Sequence, residues 1–238
     1  MKIISLWSGP RNVSTALMYS FAQRDDTTVI DEPLYAYYLK TTQADHPGKE
    51  LVLKNMENDG DKVLESIRQH AQKVPVLFLK NMCHHWLGFD NSQLELFDNI
   101  FLIRDPEQML PSLVRQIPQP ILRDTGLRQQ SEMFDYLSGK GKAPIVIDSK
   151  ELLLNNKVIL NKLCEAVDIE FTEKMLSWES GPKPYDGVWA KFWYQNVHKS
   201  IGFTPYNEKN DPFPEQLIPL LEECRPYYEH LSKHSFKI

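Results

Sequence analysis

The amino-acid sequence predicts an α/β fold: a three-layer arrangement in which helices flank a mostly parallel, five-stranded sheet. Short apolar runs alternate with stretches of helical periodicity, which is the pattern of successive strand and helix units. The run VPVLFLKNM at residues 74–82 is the most apolar and is typical of a central strand buried on both faces. A length of 238 residues suits one domain of this class, which we expect to span residues 1–238.

Each element follows from its local pattern. The predicted strands are the apolar runs at residues 2–7, 27–33, 74–82, 99–106 and 143–149. The predicted helices are one from about Asn12, one over 61–72, one after the fourth strand, one or two over 150–168, and a last one over 213–233. Val13, Leu17 and Phe21 recur at spacings of four and place one apolar face on the first helix. Pro111 should kink or restart the helix after the fourth strand.

One segment, at about residues 180–214, has no clear periodicity. It is rich in proline, glycine and aromatic residues, and long irregular connections of this kind often carry function. We therefore predict a lid or substrate-facing segment. Trp189, Phe192 and Trp193 within it have helical spacing, which favours an amphipathic face packed on the core over a stacking platform for a ligand.

Charge and cysteine content disfavour several classes of protein. There are 27 Lys and Arg residues against 32 Asp and Glu, and this net charge of −5 argues against nucleic acid or an acidic membrane as partner. The three cysteines are widely spaced and form no disulfide or zinc pattern. The amino-terminal residues lack the apolar core of a signal peptide, and no stretch approaches the roughly 20 apolar residues of a membrane span. These features favour a cytoplasmic protein, while the oligomeric state stays open.

A polar loop, SGPRNVST at residues 8–15, lies between the first strand and the first helix. The free amides and the dipole of a helix amino terminus attract anions, and Arg11 adds a guanidinium that can grip phosphate oxygens in pairs. Ser14 and Thr15 can each donate a hydroxyl hydrogen bond. The Gly-Lys pair of nucleotide-hydrolysing loops is absent, which disfavours ordinary ATP chemistry. Alternatively, Ser14 and Thr15 only cap the helix and Arg11 forms a surface ion pair.

A second candidate anion site is FLIRDPEQMLPS at residues 101–112. Arg104 ends a strand, Asp105 is a predicted N-cap followed by proline at the first helical position, and Gln108 can complete a capping box. Ser112 follows about two turns into the helix. Since ligands of open α/β sheets bind at the carboxyl ends of the strands, Arg104 and Ser112 can converge on one anion there.

These two motifs resemble those of sulfotransferases that use 3′-phosphoadenosine 5′-phosphosulfate (PAPS). The strand–Arg-Asp-Pro–Ser arrangement is similar to their 3′-phosphate motif, the first loop to their 5′-phosphosulfate loop, and DEPLYAYYL to the Glu-Pro segment of carbohydrate sulfotransferases. The likeness extends in order over about residues 1–178, nearest to bacterial and plant sulfotransferase-like proteins of unassigned substrate. It implies a P-loop-like nucleotide-binding fold, with PAPS as donor, adenosine 3′,5′-bisphosphate (PAP) as product and no required metal.

The resemblance assigns roles residue by residue. It implies that the donor is bound by Gly9, Arg11, Asn12, Val13, Ser14, Thr15, Arg104 and Ser112. The first loop departs from these enzymes in two respects. Arg11 stands where the cytosolic steroid and phenol enzymes carry lysine, and Asn12-Val13 stands where the carbohydrate enzymes carry a small residue and glycine. Lys199 and Ser200 are candidates for a late loop that closes the 3′-phosphate site.

The catalytic base has more than one candidate. Glu32, in the Glu-Pro position, is preferred, with Arg11 stabilising the charge of the transferring group. Strand alternation would turn Asp31 to the opposite face, and both carboxylates could instead cap a helix that begins near Pro33. His84 and His85 are the rival bases, because the cytosolic enzymes place histidine shortly after a lysine such as Lys80. Lys80 itself either faces the sulfonyl group or ends the strand in solvent.

The expected activity is transfer of a sulfonyl group from PAPS to a hydroxyl, or an amine, of a small molecule or carbohydrate. Two alternatives stay open from the sequence. One is a non-catalytic module of the same fold that binds PAP or a related nucleotide. The other is a P-loop phosphotransferase or hydrolase, which the missing Gly-Lys pair disfavours.

Overall fold

The structure, a computed structural model, describes residues 1–208 and 212–237 and contains a five-stranded, all-parallel sheet of order β2-β3-β1-β4-β5. The strands are β1 (Lys2–Ser8), β2 (Thr27–Asp31), β3 (Val76–Met82), β4 (Asp98–Ile103) and β5 (Ile145–Asp148). The first strand lies in the centre and pairs with β3 on one side and β4 on the other. The predicted five-stranded α/β fold is confirmed.

Helices flank the sheet. They are α1 (Ser14–Phe21), α2 (Tyr35–Thr42), α3 (Lys49–Asn55), α4 (Gly60–Ala71), α5 (Pro106–Leu113), α6 (Leu122–Thr125), α7 (Leu127–Gly139), α8 (Ser149–Leu154), α9 (Asn156–Ala166), α10 (Ala190–Trp193) and α11 (Ile218–Ser232). Short 3-10 helices cover Cys83–His85, Asn91–Leu96, Glu173–Leu176, Val197–Lys199 and Glu215–Leu217. None of the helices described here is long and apolar enough to cross a membrane.

The core is divided between the two faces of the sheet because successive side chains of a strand point to opposite faces. Ile4 and Leu6 of β1 belong to a cluster with α1 and α9, which includes Leu17 and Leu160. Trp7 of the same strand belongs to a second cluster on the other face. That cluster draws on α4, α7 and the opposite sides of β3 and β4. All seven residues of β3 are buried, as the apolar run at 74–82 predicts.

The boundaries differ from the predicted ones near the loops. β2 ends at Asp31 and β4 at Ile103, because the chain turns before the prolines that follow them. The first helix begins at Ser14 rather than near Asn12, since the preceding residues form a tight turn. Pro111 lies within α5, which ends shortly afterwards at Leu113. The region 150–168 forms two helices, and Asn155 lies between them.

The predicted irregular segment at 180–214 contains two short helices, α10 and the 3-10 helix Val197–Lys199, and its residues 209–211 lie outside the described part of the chain. Trp189 and Tyr194 are buried and pack with Tyr38 and Leu39 of α2. This apolar contact places the segment across the carboxyl edge of the sheet. Phe192, by contrast, contacts Gly48 before α3.

Candidate functional site

A cavity of about 430 Å³ opens at the carboxyl edge of the sheet. The loops that follow β1, β2, β3 and β4 all contribute to it. Strand order changes direction at β1, and ligands of open α/β sheets bind at such a point. The predicted site residues that line this cavity are Arg11, Asn12, Val13, Ser14, Thr15, Glu32, His84, His85, Arg104 and Ser112. Gly9 is not among the lining residues. It instead lets the loop pack closely against Thr125.

A close backbone contact and the hydrogen bonds of Asn12 fix the loop after β1. A Cβ atom at Gly9 would collide with the carbonyl oxygen of Thr125, so only glycine allows this close approach. Asn12 donates from Nδ2 to the Leu102 carbonyl at 3.0 Å and accepts the Val13 amide at 2.8 Å. The positive φ of the turn falls on Arg11 at 56°, while Val13 has an ordinary φ of −91°. The left-handed turn thus lies at Arg11, and neither Asn12 nor Val13 needs the backbone freedom of glycine.

The two sequence motifs meet at Arg11. Its Nε donates to Ser112 Oγ at 3.0 Å, across 101 residues of chain. Arg104 donates from its guanidinium to the Arg11 carbonyl oxygen. The loop after β1, the end of β4 and the inner side of α5 thus form one wall of the cavity, beside the amino terminus of α1.

This wall is electropositive. Burial and the nearby charge of Arg115 lower the pKa of Arg11, and burial and Arg11 lower the pKa of Arg104. Within the described residues, neither Arg11 nor Arg104 forms a salt bridge with a carboxylate. An anion in the cavity would relieve this repulsion and use the free amides at the start of α1.

The helix that carries Ser112 begins as predicted. Asp105 is its N-cap and accepts the Glu107 amide at 2.8 Å, and Pro106 is the first helical residue. The cap holds the start of α5 at the end of β4. Arg104 and Ser112 both line the cavity as a result. Ser112 lies farther along α5, on the side of the helix that contacts Arg11.

Glu32 follows the last residue of β2 and has a left-handed φ of 41°. This turn breaks strand alternation, so Asp31 and Glu32 both reach the ammonium group of Lys80. The prediction that Asp31 faces away was wrong for that reason. Neither carboxylate caps a helix, since the N-cap of α2 is Leu34, without a side-chain hydrogen bond.

Lys80 lies at the centre of a buried polar network. Its side chain is 1% exposed, so the expectation that it ends the strand in solvent is not met. The ammonium binds Asp31 Oδ1 at 3.0 Å and Tyr194 Oη at 2.7 Å, as well as Glu32. Tyr194 also donates to Asp31 Oδ2 at 2.7 Å. Sequence reasoning missed Tyr194, because one tyrosine in an aromatic segment carries no signal of its partners.

The network shifts the pKa values of its members. Burial raises the pKa of Glu32, the charge of Lys80 opposes this, and the neighbouring Asp31 raises it further. Burial alone would lower the pKa of Lys80, but the two carboxylates outweigh it and the pKa is raised. Glu32 Oε2 has no protein donor in the described part of the chain. A carboxylate with one oxygen held and a raised pKa is suited to accept a proton.

His84 and His85 lie in the 3-10 helix after β3 and are 4% and 1% exposed. His85 stacks on Tyr35 with ring centroids 5.0 Å apart, and His84 meets the edge of Tyr38. Burial lowers the pKa of His84 to about 3 and that of His85 well below its usual value. Both imidazoles are therefore neutral and weakly basic, which favours Glu32 over them as the base.

The two candidates for a late phosphate-closing loop, Lys199 and Ser200, contribute less to the cavity. Ser200 lines the cavity, but its hydroxyl donates to the Val197 carbonyl at 2.7 Å and accepts from Trp178. Lys199 lies outside the residues that line it. No cluster of metal-ligating side chains occurs among the residues that the structure describes.

The all-parallel sheet, with a polar loop between its first strand and its first helix, is the P-loop-like fold found in sulfotransferase structures. The chain belongs to the sulfotransferase domain family, which it matches over residues 1–234. A sulfotransferase from Alicyclobacillus acidocaldarius superposes with a TM-score of 0.58 and 11% identity, over 99% of this chain and 98% of that one. The sulfotransferase domain of the Synechococcus olefin synthase gives 0.54 and 18%, over 93% and 94%. These two structures share the fold, and the family supports sulfotransferase activity.

Two curated relatives from Arabidopsis thaliana are more similar in sequence. They are named branched-chain-amino-acid aminotransferase-like proteins 2 and 1, and are 40% and 38% identical over 235 and 234 residues. The match covers 98% of this chain but only 42% of each relative. The chain thus spans less than half the length of these proteins, and their names describe the longer whole.

Proposed function

We propose that the cavity binds PAPS and transfers its sulfonyl group to an acceptor hydroxyl. The observation that carries the proposal is the meeting of Arg104, Ser112 and Arg11 at the start of α1, two anion-binding motifs around one cavity. A donor with a phosphate at each end of its ribose needs two such sites side by side. The free, buried cysteines agree with the cytoplasmic location that we also propose.

The chain offers suitable groups at both ends of the donor. Arg104 and Ser112 would hold the 3′-phosphate, and Arg11, Ser14, Thr15 and the first amides of α1 would hold the phosphosulfate. Since Arg11 donates Nε to Ser112, its terminal nitrogens stay available to an anion. When bound, PAPS supplies an activated sulfonyl group on a good leaving group.

Glu32 would act as the general base. It takes the proton of the acceptor hydroxyl as the oxygen bonds to sulfur. The bond from sulfur to the bridging phosphate oxygen breaks, and PAP leaves with that electron pair. Arg11 and the α1 amides stabilise the charge that develops on the leaving oxygen. Lys80 holds Glu32 in place, and Asp31 and Tyr194 hold Lys80.

Calorimetric titration without metal tests the donor site. We expect PAP to bind at least tenfold more tightly than 5′-AMP or ATP, because the 3′-phosphate has its own arginine. Arg104→Ala should abolish this preference. Arg128→Ala removes an exposed arginine of α7 that pairs with Glu132, and it should leave the preference intact. Equal binding of ATP, or no binding of PAP, would contradict the proposal and favour another nucleotide. Binding of PAP without turnover of any acceptor would support a non-catalytic module.

A further inference from the structure

Residues 183–198, here called the strap, bind one carboxylate at the carboxyl edge of the sheet. Tyr194 Oη donates to Asp31 Oδ2 at 2.7 Å, and the Gly187 amide donates to the same oxygen at 3.1 Å. Only glycine fits at position 187, because a Cβ there would overlap the buried ring of Trp189. The Asp31 side chain is 1% exposed, so these two donors replace the water that it loses on burial.

Glu32, the next residue along the chain, is held differently. Its Oε1 binds Lys80, which also binds Asp31 Oδ1 at 3.0 Å. The two carboxylates therefore share one ammonium, and among the described residues only Asp31 has further donors from the strap. Hydrogen bonds to an ionised carboxylate favour its charged form, and a like charge nearby disfavours it. Of the pair, Asp31 is thus the carboxylate that stays ionised and Glu32 the one that takes up a proton.

The surroundings of Asp31, Glu32 and Lys80 add no further charge at neutral pH. The other titratable side chains that interact with these three residues come from α1, α2, the strap and the loop after β3, and they are Tyr19, Tyr35, Tyr194 and His85. Burial raises the pKa of the three tyrosines and lowers the pKa of the histidine, so all four are uncharged. Arg11 and Arg104 also line the cavity, but the charges that act on Glu32 are those of Lys80 and Asp31.

We propose that the strap, through the Tyr194 hydroxyl and the Gly187 amide, keeps the negative charge on Asp31 and so leaves Glu32 to accept the acceptor's proton. The inference rests on the proposed sulfotransferase function and adds the residues that select its base. Tyr194 and Asp31 are positioning residues in this scheme, because they act through Glu32. Without the two donors from the strap, the carboxylates would share one proton, since both contact the same ammonium.

The strap has a second anchor, which leaves Asp31 untouched. Asp186 accepts from Tyr19 Oη of α1 at 2.6 Å and lies 2.9 Å from His198 Nε2. Loss of the Tyr19 hydroxyl should loosen the strap much as loss of the Tyr194 hydroxyl does, yet keep both donors of Asp31 in place. Tyr19→Phe is therefore the matched control for a purely structural role of these contacts.

Carbon-13 NMR of the side-chain carboxyl groups tests the proposal without any acceptor. The protein is labelled at the glutamate and aspartate carboxyl carbons, and the two resonances are assigned as those missing from Glu32→Gln and Asp31→Asn. In the wild type we expect Glu32 to titrate while the Asp31 resonance keeps its ionised position. In Tyr194→Phe the two resonances should titrate together, because Asp31 loses a donor and takes a share of the proton. Tyr19→Phe should retain the wild-type pattern.

A second variant keeps the test decisive if Tyr194→Phe proves too unstable to titrate. Asp31→Asn removes the neighbouring negative charge but keeps an oxygen for Lys80, so the midpoint of the Glu32 titration should fall by at least about one pH unit. Asp25→Asn removes an exposed carboxylate that pairs with Lys174, and it should leave the midpoint unchanged. A midpoint that does not move in Asp31→Asn would overturn the proposal.

The remaining outcomes separate this inference from the function beneath it. If Asp31 titrates together with Glu32 in the wild type, or if Tyr194→Phe leaves both resonances unchanged, the strap does not select the base. The same change in Tyr19→Phe as in Tyr194→Phe would assign the effect to loosening of the strap and would also overturn the proposal. Calorimetric titration of the same samples with PAP tests the function. Failure to bind PAP with the titration pattern intact would refute the sulfotransferase function and leave the charge assignment standing.

Discussion

At the scale of single residues, two side chains of the site sit on left-handed backbone. Arg11 has φ 56° and Glu32 has φ 41°, and neither is glycine or asparagine. Such conformations cost about 1–3 kcal/mol and persist where the surrounding structure holds them. In each case the turn lies in the loop that follows a strand, and the charged side chain lines the cavity.

The pH dependence of turnover should report Glu32. Because burial raises its pKa, Glu32 stays protonated to a higher pH than an exposed carboxyl, and only its ionised form accepts a proton. We expect kcat to rise with pH through that raised pKa and then level off. Glu32→Gln should lower kcat at least about 100-fold and remove this rise, while PAP affinity in calorimetry stays within about threefold. A pH profile unchanged in Glu32→Gln would assign the base elsewhere.

Gly9 should be intolerant of any side chain. Gly9→Ala pushes a methyl group into the Thr125 carbonyl, so we expect a loss of about 1–3 kcal/mol in the free energy of unfolding by urea. Gly139→Ala is the matched control at the end of α7. A Cβ there meets no atom within 4 Å, and it should be neutral or slightly stabilising. Equal stability of the two variants would contradict the close contact at Gly9.

At the scale of the elements, the cap of α5 positions the second anion site. Asp105 accepts the Glu107 amide, and α5 carries Ser112 toward Arg11. The cap and the proline were readable from the sequence because capping depends on local spacing alone. The same holds for the loop after β1, where a strand, a polar turn and a helix follow within a few residues.

Loss of this cap should weaken the donor site as well as the fold. Asp105→Ala is expected to cost about 1 kcal/mol of stability in urea and to weaken PAP binding several-fold, because α5 is no longer held at Arg104. Asp59→Ala removes the N-cap of α4, which accepts from Asp61 and Lys62 and lies away from the cavity. It should cost similar stability and leave PAP affinity unchanged. Parallel losses of affinity in both variants would argue for a global effect.

Other elements were not readable from the sequence. The network of Lys80 depends on Asp31 and Glu32 facing the same way, which a period of two cannot predict because the left-handed turn follows the strand. Tyr194 reaches Lys80 from a segment more than one hundred residues downstream. Local pattern carries no information on such contacts. The five strands, in contrast, were found because each is a compact apolar run.

At the scale of the whole molecule, the segment from Gly181 onward is tied to the sheet by polar contacts. Tyr194 binds Lys80 and Asp31, and the Gly187 amide donates to Asp31 Oδ2 at 3.1 Å. Asp186 accepts from Tyr19 at 2.6 Å and contacts His198 at 2.9 Å. Hydrogen bonds therefore join this segment to the buried charges of Lys80 and Asp31.

Removing the Tyr194 hydroxyl should loosen this segment. Tyr194→Phe leaves the ring in place but deprives Lys80 and Asp31 of a buried partner, so we expect about 1–3 kcal/mol lower stability and faster proteolysis within 181–208. Tyr185→Phe is the control in the same segment, since its hydroxyl has no hydrogen bond among the described residues. Cleavage should stay at the wild-type rate in that variant. Equal cleavage of both would mean that apolar packing alone holds the segment.

The central place of the first strand sets the order in which the protein acquires its site. β1 precedes the other strands along the chain, yet its hydrogen-bond partners begin at Val76 and Asp98, so it has no neighbour until β3 has been made. Contacts between positions so distant form slowly, because the intervening chain must close as a loop. The loop at SGPRNVST therefore precedes β3 and β4 along the chain, and we expect it to become ordered only once both have paired with β1. Recovery of anion binding during refolding would therefore mark completion of the sheet.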